Sequence, residues 1–228
     1  MSQNPQKQTS QSKRIGRLAV ATAVLPILAT HLAYAVAIAF DMVPACIPYI
    51  EGCTSISSTG RTNPSQWVFK PLMLVSAVAM TMFFIGIGRP SRLGQPDSLA
   101  VCGTIGAIAL VLYLLFLGSE GDVYRLLRRY GVSLYFGFVF LGQLIFARRI
   151  ARVEAARIAA RGMLGVSAVM LIMGIGSIPI TNFVADKDQI ENVIEWNFAL
   201  LLQLNFLLAW RAWKAANRPV TGHSDQAS

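Results

Sequence analysis

Histidine and cysteine are almost missing from this chain of 228 residues, which has two of the first and three of the second. His31 is the only histidine outside the C-terminal tail, so a zinc centre built on several imidazoles is excluded. The cysteines are too few for a disulfide scaffold and have no metal-site spacing. Acidic residues are also scarce, with 11 Asp and Glu against 20 Lys and Arg. There is no P-loop, no Gly-x-Ser-x-Gly elbow, no His-Glu-x-x-His helix and no haem-attachment cysteine pair. No catalytic residue, metal ligand or cofactor is therefore assigned.

What is present in excess is apolar sequence: 54% hydrophobic residues, 14% charged residues and a mean hydropathy of +0.53. A water-soluble domain has no use for that ratio, whereas a lipid-facing surface requires it. Six apolar runs, at residues 18–40, 67–88, 99–117, 131–147, 162–181 and 193–210, are each near the length that crosses the hydrocarbon core. Each must be helical, because an open strand in lipid leaves backbone amides and carbonyls unpaired. The expected fold class is all-α, an integral bundle of six transmembrane helices over residues 18–213. A disordered cytoplasmic tail is expected at 1–17 and a second tail at 214–228. The basic flank of the first run resembles a signal peptide, but the run is too long for one and reads as a retained helix. Gly103, Gly106, Gly174 and Gly176 are expected to allow close helix packing, and Pro26 and Pro179 are tolerable within spans. Trp67, Trp196, Trp210 and Trp213 fall near helix ends and read as an interfacial belt.

The net charge of +9 is not a nucleic-acid signal, since the basic residues cluster at the ends of apolar runs rather than along one face. They report orientation instead. With both termini in the cytoplasm, fourteen of the twenty Lys and Arg fall inside and six outside, which is the bias of the positive-inside rule.

The unusual residues then gather on the non-cytoplasmic face. The loop at 41–66 is far longer than a helix connection needs and is dense in Ser, Thr, Gly and Pro. Its Ile47, Tyr49, Ile50 and Ile56 favour a packed loop lying on the helix ends. Cys46 and Cys53 share this loop, where oxidation is allowed, and the sequence leaves a bridge between them open. Glu195 sits inside the outer end of the last span, either reaching headgroup water or paired with Arg61, Arg125 or Arg128. Glu191 lies one turn before it. Between Ser119 and Tyr130, a helical extension would stack Asp122, Arg125 and Arg129 on one side. These arginines form either a solvated cap or a seat for a lipid phosphate, whose oxygens the guanidinium fork matches. Within the spans, His31, Gln143, Asn197, Gln203 and Asn205 are expected to form interhelical hydrogen bonds, and Cys102 to pack as a small side chain.

The stretch Ile56, Ser57, Ser58, Thr59, Gly60, Arg61, Thr62, Asn63, Pro64, followed by Phe69, resembles the first-loop signature of the damage-regulated autophagy modulator family. That broader group includes proteins of GPI-anchor lipid remodelling. Glu195 and Trp196 resemble a Glu-Trp pair carried at the start of the last helix in the same group. The likeness covers most of the chain in layout and about ten residues in motif. One position departs: where the group often has a histidine before the fourth helix, this chain has Arg128, Arg129, Tyr130 and Gly131. The resemblance implies a non-catalytic protein that engages membrane lipids or other membrane proteins at its outer face. It marks Glu195, Trp196, Arg61, Ser57 and Gly60 as binding residues, and the reading of the outer arginines adds Arg125 and Arg128. Two alternatives remain: a lipid-modifying enzyme using Glu195 or Glu51, and a small transporter with a polar path through His31, Gln143 and Gln203.

Overall fold

The computed structural model describes residues 5–88, 97–183 and 186–217, with the backbone alone for 5–9 and 178–183. Among the described residues there is no strand. Six long helices run along the chain: α1 (Pro5–Ala39), α4 (Gln66–Ile87), α5 (Ser98–Phe116), α6 (Asp122–Ile150), α7 (Arg157–Phe183) and α8 (Lys187–Ala216). Two short ones, α2 (Pro48–Glu51) and α3 (Ile56–Arg61), lie in the first loop, and a 3-10 turn (Glu154–Ala156) precedes α7. All six long helices are long and apolar enough to cross a membrane. Even α5, with 19 residues, spans about 28 Å at the α-helical rise, close to the hydrocarbon thickness. Their outward surfaces are apolar: Ile108, Leu115, Ile172 and Ile175 are each more than half exposed. The chain is an integral, multi-pass membrane protein.

Helices α1, α4, α5, α6 and α8 close a ring, each packed on its neighbour, and α7 lies outside it against α8 and α6. The centre is aromatic. Phe83 meets Phe84, Phe146 and Phe206 with ring centroids 5.5, 6.1 and 5.7 Å apart, all edge-on. Gly103 admits Phe84, since a Cβ there would sit 2.5 Å from the Phe84 Cβ, and Gly106 faces Val139. Gly174 and Gly176 correct the packing expectation, because added methyl groups there would meet nothing within 4 Å. These two glycines face outward from the ring on α7.

The amides inside the spans do hold helices together. Gln143 donates to the Leu202 carbonyl at 2.9 Å, and Asn205 donates to Gln143 at 3.0 Å and to Ser167 at 3.3 Å. Cys102 is buried and free.

Helix α1 begins inside the stretch expected to be a disordered tail, which corrects that expectation for its described part. The physical cause is packing on the bundle: Ile15 is buried, Gly16 lies against the Trp210 ring, and Trp213 donates to the Ser12 carbonyl at 3.2 Å. That contact also sets the start of α1 and the finish of α8 at one end of the bundle. At the same end Arg149 grips both carboxylate oxygens of Asp97 at 2.8 Å, while Asp97 caps α5 through the Leu99 amide. The first loop occupies the opposite end.

Candidate functional site

The loop at 41–66 is folded and fastened to two spans. Its first half is tied to α1: the Tyr34 hydroxyl donates to the Cys46 carbonyl at 2.9 Å and accepts from the Cys46 amide at 3.0 Å. Cys46 and Cys53 are joined in a disulfide with Cα atoms 6.5 Å apart. Between them stands α2, with Glu51 accepting from the Ile47 amide at 2.7 Å. Three side chains of α8 then hold the loop backbone. Asn192 donates to the Gly52 carbonyl at 2.8 Å, Trp196 to that of Thr54 at 2.9 Å and Asn197 to that of Tyr49 at 2.9 Å.

Trp196 is the hub of this closure. Its ring meets His31, Tyr34 and Tyr49 edge-on at 5.8, 5.6 and 5.4 Å between centroids. At 1% exposure it is not the interfacial anchor that its position near a helix end predicts, because the loop covers it. Trp67, 72% exposed, does fit that role. His31 is engaged at both nitrogens, Nδ1 with the Ile27 carbonyl at 2.7 Å and Nε2 with the Tyr49 hydroxyl at 3.0 Å. Burial pushes the Tyr49 phenol up from its ordinary value.

Helix α3 forms because Ser55 caps it, its hydroxyl accepting from the Ser58 amide at 3.0 Å. Thr59 and Ser65 turn their hydroxyls back on nearby carbonyls and close the bend into α4. Gly60 is needed for the approach of α4: a Cβ there would lie 2.7 Å from the Phe69 ring. The Glu195 carboxyl lies beside the first turn of α3, lining the same cavity as Ile56. It is not among the ion pairs formed by the described residues, which corrects the expected pairing with an outer arginine. Arg61 ends α3, and its six residues, about 9 Å of helix, hold it away from the turn that faces Glu195.

Beneath the loop, His31, Tyr49, Tyr113, Glu195, Trp196 and Gln203 line a cavity of ≈ 40 Å³. Its walls are mostly apolar side chains of α1, α4, α5, α6 and α8. The buried Gln203 Oε1 has no hydrogen-bond partner among the described residues.

A larger, open concavity of ≈ 490 Å³ lies beside α3, lined by Arg61, Glu120, Arg125 and Arg128 with Gly118, Ser119 and Gly121 of the α5–α6 turn. Thus the three arginines singled out by the sequence come together, but around empty space rather than around Glu195. Arg128 uses one nitrogen to hold the turn, donating to the carbonyls of Phe116, at 3.1 Å, and Ser119. Arg125 pairs with Asp122 at 3.4 Å, and Arg61 donates to the Ser58 hydroxyl at 3.3 Å. Arg129 is exposed and lies outside the lining.

The loop end therefore contains two units, a docking interface holding Ser57, Gly60, Glu195 and Trp196, and an arginine-lined concavity. Sequence reasoning did not single out Tyr34, Thr54 or Asn192 for the first. A usable signal existed, since Asn192 stands one helical turn before Trp196 on the same face of α8. Comparison with protein-family models, with curated proteins and with solved structures finds no match for this chain.

Proposed function

We propose that this protein engages membrane lipid at its loop end, in the manner of the autophagy-modulator and GPI-anchor-remodelling proteins its motifs resemble. Its termini lie in the cytoplasm and the loop at 41–66 faces the other side. The observation that carries the reading is the loop itself. It is cross-linked, hydrogen-bonded to α1 and α8, and set so that Arg61 joins Arg125 and Arg128. A connection with no task needs none of this order. The positive-inside bias supports the orientation. A non-catalytic role agrees with the way the ionisable groups are used: His31 is bonded at both nitrogens and Glu51 caps α2.

The test is quantitative lipid analysis of the protein purified in mild detergent. A lipid species enriched toward one copy per chain above its share of the source membrane is the expected result. Retained lipids that mirror the bulk membrane would overturn the reading.

A further inference from the structure

We propose that the concavity between α3 and the start of α6 is a seat for a phosphate ester, with Arg61, Arg125 and Arg128 as its donors. This deepens the lipid-engaging reading and rests on it for the lipid source of the phosphate.

Three guanidiniums and one carboxylate, that of Glu120, line the space, so the lining carries a positive excess. None of the three arginines is spent. The Arg125–Asp122 pair is 3.4 Å long with side chains 76% and 94% exposed, a contact that water screens heavily. Arg61 is exposed and bonded to a neutral hydroxyl. Arg128 commits one terminal nitrogen to the turn, which fixes the guanidinium plane and leaves its other nitrogens to face a ligand. That fixation lowers the ordering cost of a bidentate grip on phosphate.

A second feature points the same way. The 29-residue α6 starts at the rim of the concavity, and its N-cap is Gly121, at φ +115, with no side-chain cap. A capping Asp or Ser would place its own oxygen on the free first-turn amides. Glycine leaves them open, in a backbone conformation that other residues rarely adopt. The positive end of the helix dipole and its free amides add to the field of the three arginines. The concavity is open, so a phosphate carried on a larger headgroup can enter it. The positive excess favours a net anionic ester over a zwitterionic one.

The full chain in a neutral detergent is titrated separately with dioleoyl phosphatidic acid, dioleoyl phosphatidylcholine, glycerol 3-phosphate and inorganic phosphate, following affinity and thermal stability. Phosphatidic acid should bind and stabilise, more weakly as salt rises. Arg61→Gln and Arg125→Gln should each lower its affinity about tenfold or more, the loss of one charge-assisted contact. Both side chains are exposed, so the variants should fold. Arg129→Gln removes the same charge outside the lining and should change little. Binding of phosphatidic acid alone marks a lipid seat, and binding of glycerol 3-phosphate as well marks a phosphate seat open to soluble esters; both outcomes support the proposal. Absence of binding by any phosphate ester overturns it, as does equal loss in Arg129→Gln or no loss in Arg61→Gln and Arg125→Gln. A purified protein that retains an enriched lipid through both substitutions would leave the lipid-engaging reading standing and remove the seat. Phosphate-ester binding without any retained lipid would do the reverse.

Discussion

The indole of Trp196 donates to the carbonyl of Thr54 at 2.9 Å, joining α8 to a loop 142 positions away in the chain. Both groups are buried, so neither can turn to water if the other is removed. Trp196→Phe keeps most of the ring packing and orphans the Thr54 carbonyl; it should cost about 1–3 kcal/mol of unfolding free energy. Trp196→Ala also empties the space among His31, Tyr34 and Tyr49, and should cost about 3–5 kcal/mol. Denaturation in detergent measures both, and wild-type stability in Trp196→Ala would mean the loop is not docked.

Gly60 and Gly137 make a matched comparison. A methyl group at Gly60 would lie 2.7 Å from the Phe69 ring, whereas one at Gly137 would meet nothing within 4 Å. Gly60→Ala should cost about 1–3 kcal/mol through overpacking. Gly137→Ala should be neutral or mildly stabilising, by up to about 1 kcal/mol of helix propensity. Similar melting temperatures for the two variants would contradict the packing of α3 on α4.

The Cys46–Cys53 link should be found intact in loop peptides by non-reducing mass spectrometry of material kept from reductant. Replacing both cysteines by serine should cost about 2 kcal/mol. The asparagines and Trp196 of α8 still hold the loop, so the protein should fold, with faster amide exchange confined to 41–66. Free thiols at both positions in oxidised material would contradict the closure.

Orientation is measurable against a quiet background, because the free Cys102 is buried. A cysteine placed at Ser58 should react with a membrane-impermeant reagent in intact cells, and one at Ser12 should be protected. Ser91, which lies outside the described residues, should behave like Ser12. The reverse pattern would invert the protein and move the arginine concavity to the cytoplasmic side.

The spans were legible because lipid leaves an apolar run only one way to pair its backbone. The polar ends of the helices were not. Residues 10–17 carry too little apolar signal to be read as helix, yet Ile15 and the Trp210 and Trp213 contacts order them. Glu195 was legible as a costly carboxylate in a span, but its place beside the first turn of α3, on one cavity with Ile56, depends on how the loop folds. The direction of a six-residue helix decides whether Glu195 meets its first turn or Arg61, and composition does not encode that direction. Trp196 was misread for a related reason: proximity to a helix end says interface until a loop folds over it. The gathering of Arg61 with Arg125 and Arg128 was legible as a shared face, though not as a concavity, because its floor is the glycine-bearing turn at 118–121.

The most direct test of the account is amide hydrogen exchange of the protein in nanodiscs, compared between purely zwitterionic lipid and the same lipid with a phosphatidic acid fraction. The account expects residues 53–66 and 118–128 to slow together when the anionic lipid is present, while amides at the other end of the bundle keep their rates. Unchanged exchange in both segments, or a slowing spread evenly over all helix ends, would contradict a lipid site built from the first loop and the start of α6.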